Sequence, residues 1–230
     1  MKVAVIQSNY IPWKGYFDII NAVDLFIFYD DVQYTHRNWR NRNLIKTPAG
    51  LQWLSIPCGT NTKRCIYEVT ISNGPWQKKH WHAIELNYSR ARYFKEYRPF
   101  FENIYLKNTW QNLSEFNQYL IKKISKEILN IDTVFKDSKD FRPVGKKEAR
   151  ILDLLKKCKA TEYICGPLAK NYINEENFQS AGIKLEWMDY NGYPQYNQLF
   201  PPFSHNVSII DLIFNEGPHA TAYMKSFNHR

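Results

Sequence analysis

The stretch at residues 9–31 reads NYIPWKGYFDIINAVDLFIFYDD and directly follows the apolar run KVAVIQ. Residues 3–8 begin with four apolar residues in a row, which predicts a strand buried on both faces, and residues 25–29 predict a second such strand. Between them, apolar side chains recur at a helical spacing over residues 15–23. A buried strand, a short helix and another buried strand are typical of a parallel α/β unit.

The rest of the chain predicts an α/β protein with a helical region between two parts of the sheet. Residues 52–57 and 65–71 are predicted as a hairpin pair, and residues 161–165 and 183–190 as further strands. The predicted fold is Rossmann-like, a mostly parallel sheet with an inserted or appended helical subdomain. We expect one α/β unit over residues 1–230, with its core from residues 1–74 and 141–230 and the helical subdomain at about 75–140.

The composition is that of a globular protein with a positive charge. The chain has 230 residues, is 44% hydrophobic and carries a formal net charge of +9, which favours phosphate-bearing partners. No apolar run approaches the ~20 residues that span a bilayer, and no secretory signal is visible. We therefore expect a cytoplasmic protein without a membrane span. The four cysteines form two C-x6-C spacings, which are not zinc spacings, so no metal site is predicted.

The turn at residues 9–15 is predicted to bind a ligand. In a parallel sheet, ligands bind at the carboxyl ends of the strands, and this turn follows the first strand. The helix after it begins at a glycine, so backbone amides can approach a phosphate, and Lys14 can add a charge. The alternative is that Pro12 and the glycine only shape a tight connection. The ligand hypothesis makes Lys14 catalytic and assigns binding to Gln7, Asn9, Tyr10, Gly15 and Tyr16.

A second polar group follows the second predicted strand and reads DDVQYTHRNWRNRNLIK from residue 30. Asp30 and Asp31 would lie at the same edge as the opening turn, where carboxylates can serve a metal, a base or a sugar hydroxyl. The arginines could grip phosphates with a planar fork that lysine lacks. Two alternatives stay open, an RNA-binding arm and an internal ion-pair network. The ligand hypothesis makes Asp30 and Asp31 catalytic and assigns binding to Gln33, Arg37, Asn41 and Arg42.

The remaining candidates are histidines and loop residues. His80 and His82 are two residues apart on a predicted helix and cannot share one face, which argues against a two-histidine metal site. A histidine that faces the α/β core could act as an acid or a base. Loops after the later predicted strands reach the same edge of the sheet. The ligand hypothesis therefore includes His80 and His205 as catalytic candidates and Gly166 and Tyr193 as binding candidates.

The run KVAVIQSNYIPWKGYFDII resembles the start of the HIGH-type nucleotidylyltransferases and adenylate-forming ligases, which include pantothenate synthetase. Those proteins open with a strand, a turn that contains proline, and a Gly-His pair at a helix start. Tyr16 stands where their histidine binds phosphate, so the likeness supports the fold more than adenylyl transfer. The cofactor is left open, and ATP with magnesium is the one that this resemblance implies.

Nearly the whole chain is similar to the WbqC-like family of bacteria. The matching segments are, in order, VAVIQSNYIPWKGYFDIINAVD, YDDVQYTHRNWRNRNLIK, WLSIPC, WQKKHWHAIELNYSRARYF, YICGPLAKNYI, AGIKLEWMDYNGYPQY and VSIIDLIFNEGP. The resemblance implies a role in clusters for O-antigen, the polysaccharide of lipopolysaccharide, and for other surface polysaccharides. Cys165 stands where the family commonly has serine, so a required thiol is not expected there.

These observations favour an enzyme that modifies a nucleotide-linked sugar for a surface polysaccharide. The likeness to pantothenate synthetase implies an acyl or aminoacyl transferase or an amide-forming ligase. An amino acid or other acyl group would be activated with ATP and passed to an amine on the sugar. The second hypothesis is a binding protein without chemistry that holds a nucleotide sugar or a partner enzyme. An RNA-binding protein ranks third, because no recognisable RNA-binding module is present, and nucleic acid is not an expected partner.

Overall fold

Five parallel strands form the central sheet in the computed structural model, which describes residues 1–171 and 173–229. The strands of the described chain are β1 Lys2–Ile6, β2 Leu25–Phe28, β3 Arg42–Thr47, β4 Gly50–Ser55, β5 Val134–Asp137, β6 Glu162–Cys165 and β7 Lys184–Trp187. The sheet order is β5-β2-β1-β6-β7, and each neighbouring pair is parallel. The predicted Rossmann-like α/β fold is confirmed, with the first strand at the centre.

Helices cover both faces of this sheet. They are α1 Lys14–Asn21, α2 Trp76–Tyr88, α3 Phe94–Glu102, α4 Leu113–Lys123, α5 Lys147–Lys157, α6 Glu175–Ser180 and α7 Ile209–Glu216. Side chains alternate along β1, so Val3 and Val5 belong to the apolar cluster that α5 and α6 complete. Ala4 belongs to the opposite cluster, which α1, α2, α3, α4 and α7 share. Because both faces are buried, the central strands are continuously apolar.

The hairpin forms from different residues than the sequence predicts. β3 pairs antiparallel with β4, and Pro48 and Ala49 lie in the turn between them. The predicted strand at residues 65–71 instead contains a 3-10 turn at Ile66–Glu68. β3 is hard to recognise because RNLIKT mixes charged and apolar residues. Its Lys46 is nevertheless buried, with the ammonium donating to a backbone carbonyl.

The helical region predicted at about 75–140 contains α2, α3 and α4 but ends in a strand. β5 pairs with β2 at the edge of the sheet. Thr133, which precedes β5, donates its hydroxyl to the carbonyls of Ile20 and Val23 at 2.7 and 3.0 Å. Side chains of α2, α3 and α4 share one apolar cluster with β2. The region therefore packs as a layer on the sheet and also supplies its edge strand.

The parallel strands bring several loops to one edge of the sheet. The chain leaves β1, β2, β6 and β7 at this edge, because all four run in the same direction. The Lys14 ammonium donates to the carbonyl of Pro194 at 3.0 Å, and the N–H of Ile209 donates to the carbonyl of Pro12 at 2.9 Å. Residues far apart in sequence therefore meet where α/β proteins bind ligands.

Candidate functional site

The turn between β1 and α1 is held in place by the polar segment that follows β2. The N–H of Tyr10 donates to the carbonyl of Trp39 at 2.9 Å. The Asn43 amide donates to the carbonyls of Tyr10 and Ile11 at 3.0 and 2.8 Å. Ile11 has a φ of +34°, which is rare for a β-branched residue. Such a conformation persists only where surrounding contacts enforce it, and such positions concentrate at functional sites.

A cleft of about 190 Å³ opens beside this turn, and we name it the amide cleft. Its lining consists of two indoles, three amide side chains and two apolar residues, namely Trp13, Trp39, Asn9, Asn43, Asn206, Pro12 and Val207. The side-chain oxygen of Asn9 is buried and finds no hydrogen-bond partner in the described chain. Because a buried polar atom without a partner is unfavourable, this oxygen is well placed to accept a hydrogen bond from a ligand.

Gly15 makes room for the indole of Trp13. A Cβ at Gly15 would lie 2.3 Å from the Trp13 ring, which covers the first turn of α1. The same indole contacts the rings of Tyr190 and Tyr193 at centroid distances of 5.1 and 5.6 Å. The space above Gly15 thus holds an aromatic ring that forms one wall of the amide cleft. A phosphate-binding role for Gly15 stays a prediction.

Lys14 follows the cleft residue Trp13 and points its ammonium into an aromatic environment. The ammonium lies 4.9 and 5.3 Å from the ring centres of Tyr193 and Tyr196, in addition to its hydrogen bond to Pro194. Burial lowers the pKa of Lys14 to about 8. Burial therefore makes the neutral form of this lysine easier to reach than it is for an exposed lysine, which suits an acid–base role.

His205 precedes the cleft residue Asn206 and lies close enough to Lys14 for their charges to interact. Burial lowers the pKa of His205, and the positive charge of Lys14 lowers it further. The Nδ1 atom of His205 is buried and has no hydrogen-bond partner within the described residues. The structure therefore brings the predicted catalytic residues Lys14 and His205 near each other. Each adjoins a cleft residue in sequence, but neither lines the amide cleft itself.

Tyr193 anchors the loop that contains it to α1. Its hydroxyl donates to the buried carboxylate of Asp18. The same carboxylate accepts hydrogen bonds from the N–H groups of Lys225 and Ser226, each at 2.8 Å. The hydroxyl of Tyr193, a predicted binding residue, is thus used in a contact inside the protein, and its ring faces the Lys14 ammonium.

Asp30 is fully buried and does not line the amide cleft. Its carboxylate accepts hydrogen bonds from the N–H of Ser8 at 2.8 Å, from the Ser114 hydroxyl, and from the Gln118 amide at 3.3 Å. Burial raises the pKa of Asp30, although these hydrogen bonds oppose the shift. The contacts indicate that Asp30 ties the end of β1 to α4.

Asp31 forms an ion pair with Arg150 of α5 at 2.5 Å and also accepts a hydrogen bond from the Ser138 hydroxyl. The sequence leaves open an internal ion-pair network in which the arginines come from the run at residues 37–42. The observed partner comes from α5 instead, 119 residues further along the chain. The amide cleft does not include Asp31.

Arg40 is a charged residue near the opening turn that the sequence does not single out. Burial lowers its pKa, while the nearby Tyr16 and Asp30 oppose that shift. Its Nε is buried and has no hydrogen-bond partner in the part of the chain described. The Tyr16 hydroxyl itself donates to the backbone carbonyl of Gln7 at 2.9 Å. The predicted binding residues Tyr16 and Gln7 thus contact each other, and Tyr16 lies near the guanidinium of Arg40.

Tyr10 and His80 belong to an internal chain of hydrogen bonds. His80 Nε2 lies 3.2 Å from the carbonyl of Ser55, which can only accept, so the ring proton is on Nε2. Nδ1 then accepts from the Tyr10 hydroxyl at 2.8 Å, and Tyr10 accepts from the Tyr105 hydroxyl at 2.6 Å. Burial lowers the pKa of His80 to about 4. Both predicted site residues lie outside the amide cleft.

Stability should fall as the pH is lowered from about 6.5 to about 4, because His80 is held neutral in the folded protein. Its folded pKa is below that of an unfolded histidine, so protonation favours the unfolded chain across this window. The expected loss between pH 7 and pH 4.5 is about 2–3 kcal/mol. Urea unfolding at both pH values should show that His80→Gln reduces this loss.

His82→Gln is the matched control for this measurement, because His82 is exposed on the same helix. It should leave the pH dependence as it is in the unmodified protein. Equal pH dependence in the His80→Gln variant and the unmodified protein would contradict a buried, neutral His80.

The remaining predicted binding residues lie outside the amide cleft. Gln33 is exposed, and Arg37 is exposed with a φ of +53°. Asn41 is buried and donates to a backbone carbonyl at 3.0 Å. The guanidinium of Arg42 stacks on an indole at 4.1 Å. A Cβ at Gly166 would meet its nearest atom at 3.8 Å, an ordinary contact.

Of the residues that the sequence predicts, Asn9 lines the amide cleft. The other lining side chains with polar or aromatic groups are absent from the predicted set, namely Trp13, Trp39, Asn43 and Asn206. Each of them stands within four residues of a predicted site residue, so the cleft is lined from the same sequence segments as the predicted set. The clue that could have singled them out is the combination of tryptophan and asparagine in loops at a carboxyl edge, which suits polar ring-shaped ligands.

The fold and the site define an α/β protein of Rossmann-like topology with a small cleft at the carboxyl edge of its sheet. The chain belongs to the WbqC-like protein family, whose model matches residues 7–223. It is 45% identical over 226 residues to the uncharacterized protein Rv1507c of Mycobacterium tuberculosis, and the match covers 97% of each chain. No solved structure matches the chain. Family membership fits a protein of a surface-polysaccharide cluster.

Three further observations concern the chemistry of the described residues. None of their helices is both long enough and apolar enough to cross a membrane. They contain no group of three or more His, Cys, Asp or Glu side chains that could hold a metal ion. Burial raises the pKa of the Cys165 thiol to about 12, which disfavours the reactive thiolate.

Proposed function

We propose that this protein is a cytoplasmic enzyme of surface-polysaccharide biosynthesis that binds the sugar ring of a nucleotide-linked sugar in the amide cleft. Family membership supports the pathway, and the cleft supports the class of ligand. Sugars present hydroxyl groups around a ring with apolar faces. Amide side chains can donate to and accept from hydroxyls, and indoles can cover the apolar faces.

The observation that carries this proposal is the unpaired, buried oxygen of Asn9, a residue that lines the amide cleft together with two indoles. A sugar hydroxyl would donate to this oxygen and satisfy it. The amide cleft, at about 190 Å³, is smaller than the ~300–1,000 Å³ of most drug-sized ligand sites. It therefore suits one sugar ring, and the remainder of a nucleotide sugar would extend beyond it.

Lys14 and His205 are the groups that could serve a transfer reaction at this site. When an acyl group passes to a sugar amine, a nitrogen–carbon bond forms, the donor's leaving group departs and the amine loses a proton. A neutral Lys14 or His205 could take that proton, because the pKa of each is lowered. The donor is an amino acid or another acyl group. Its activation by ATP with magnesium is part of the proposal that rests on fold resemblance alone.

The second candidate is a binding protein of the same pathway without chemistry. It is favoured by the contacts of Asp30, Asp31 and His80, whose polar atoms are used in internal hydrogen bonds and an ion pair. Mass spectrometry of a nucleotide amino sugar incubated with the protein, ATP, magnesium and amino acids separates the two candidates. A new amide product supports the enzyme, and saturable binding without any product supports the binding protein.

Asn9→Ala should weaken nucleotide-sugar binding about tenfold, the effect of one lost hydrogen bond. The melting temperature should stay the same or rise, because the oxygen that is removed has no partner in the described chain. Calorimetry with UDP-, dTDP- and GDP-linked amino sugars and thermal unfolding measure the two quantities.

Asn73→Ala provides the control, because Asn73 is an exposed asparagine outside the cleft. It should change neither quantity. Unchanged affinity in Asn9→Ala would overturn the proposed sugar site. Failure of the unmodified protein to bind any of these nucleotide sugars would overturn the proposed function.

A further inference from the structure

Two exposed indoles lie side by side next to the amide cleft. Trp39 and Trp53 are 45% and 42% exposed, and their ring centres are 5.5 Å apart. The guanidinium of Arg42 lies 4.1 Å from the ring centre of Trp53. We name these three side chains the aromatic platform. Large exposed aromatic groups that adjoin one another commonly mark binding surfaces.

The β3–β4 hairpin carries two of the three platform residues, Arg42 and Trp53. Trp53 lies opposite Leu44 in the register, and Arg42 lies opposite Ser55, so Arg42 and Trp53 are diagonal neighbours across the hairpin. Long side chains at such diagonal positions reach one another. Most residues of β3 are buried, whereas β4 is largely exposed. The platform therefore stands on a strand pair whose inner strand is anchored in the protein.

The chain segment that contains the platform residues carries only positive charges. Residues 32–67 contain six Lys and Arg and no Asp or Glu, in a chain whose formal net charge is +9. Arg42 forms none of the ion pairs observed among the described residues, and its Nε is buried without a hydrogen-bond partner there. A stacked arginine keeps its planar donors available, and that geometry suits phosphate oxygens.

The platform and the amide cleft are continuous, because Trp39 belongs to both. A ligand that fills the cleft with one ring would pass Trp39 on its way out. The part of the ligand outside the cleft would then contact the exposed indole of Trp53 and the guanidinium of Arg42, which forms no ion pair among the described residues. Nucleotide bases stack on aromatic side chains, and diphosphates bind arginine.

We propose that the aromatic platform binds the nucleoside diphosphate of a nucleotide-linked sugar, with the base stacked on the indoles and a phosphate on Arg42. This inference rests on the proposed function. It assigns the nucleotide part of the proposed nucleotide-sugar ligand to the aromatic platform. The sugar and the nucleotide then occupy adjacent sites that share Trp39. The site should accept a nucleoside diphosphate even when no sugar is attached.

Calorimetry with UDP, dTDP and GDP as the probes tests this assignment. Trp53→Ala should weaken binding of the preferred nucleotide about tenfold or more, the scale of one base stack on an aromatic side chain. Leu51→Ala is the matched control, because Leu51 is 44% exposed on the same strand and outside the platform. It should bind the nucleotide as the unmodified protein does.

Arg42→Lys tests the phosphate contact separately. It should weaken binding of the nucleoside diphosphate more than binding of the free nucleoside, because lysine keeps the charge and lacks the fork. Tryptophan fluorescence should be quenched by the nucleotide in the unmodified protein, and this quenching should be reduced in the Trp53→Ala variant. Melting temperatures of all variants check that they fold.

The outcomes separate this inference from the proposed function. If Asn9→Ala loses affinity for nucleotide sugars and Trp53→Ala does not, the proposed sugar site in the amide cleft is supported. The assignment of the nucleotide to the aromatic platform is then overturned. A change of mass in sedimentation for Trp53→Ala would show that the platform joins two copies of the chain, which would also overturn it. Binding of free nucleoside diphosphates that depends on Trp53 and Arg42 would support it.

Discussion

Gly15→Val should abolish nucleotide-sugar binding and lower the stability of the fold. A Cβ at this position would lie 2.3 Å from the Trp13 ring. The indole has little freedom to move, because it packs against the rings of Tyr190 and Tyr193. Overpacking of this kind costs about 1–3 kcal/mol. Displacement of Trp13 would also remove one wall of the amide cleft, so affinity should be lost in the molecules that still fold.

Calorimetry and urea unfolding on four variants test this explanation. Gly166→Ala is the control at the same sheet edge, because its Cβ would make only an ordinary contact at 3.8 Å. Trp13→Ala removes the ring, so the double variant of Gly15→Ala and Trp13→Ala should be about as stable as Trp13→Ala alone. A Gly15→Val variant that binds as well as the unmodified protein would show that Trp13 does not form the binding site.

Asp30→Ala should lower the free energy of unfolding by about 3–5 kcal/mol. The change would leave the Ser8 N–H and the Ser114 hydroxyl without their acceptor. It would also remove one of the hydrogen bonds of the Gln118 amide, which keeps Asp137 as an acceptor at 3.1 Å. Each buried donor without a partner costs about 1–3 kcal/mol. For a chain of this length, the melting temperature should fall by roughly 6–20 °C.

Asp31→Ala is the comparison, because Asp31 is partly exposed and its contacts are an ion pair and one hydroxyl. It should cost less than Asp30→Ala. Under conditions where the Asp30→Ala variant is still folded, this variant should bind nucleotide sugars with unchanged affinity. A stable Asp30→Ala protein that binds normally but forms no product would instead show that Asp30 is catalytic.

The sequence predicts four of the five strands of the sheet, and it does so most directly for the two strands that are apolar throughout because both of their faces are buried. VAVI and LFIF are continuously apolar, and both strands are buried between helical layers. At the start of α7 the Ser208 hydroxyl accepts a hydrogen bond from the N–H of Ile210, a capping contact that depends only on residues close in sequence. β3 and β5 escape prediction, because short strands with mixed polarity carry no continuous apolar run.

By itself, therefore, the sequence determined the parallel α/β core, the edge of the sheet where polar loops gather, and the family. Only the tertiary structure decided which of those polar groups face a cleft. Tyr10 meets His80 across 70 residues, Asp31 meets Arg150 across 119, and Lys14 meets Pro194 across 180. Side-chain periodicity reports whether a residue is buried, whereas the partner of a polar group depends on how distant loops pack. Asn9 consequently kept an unpaired oxygen in the described chain, while neighbouring candidates found partners inside the protein.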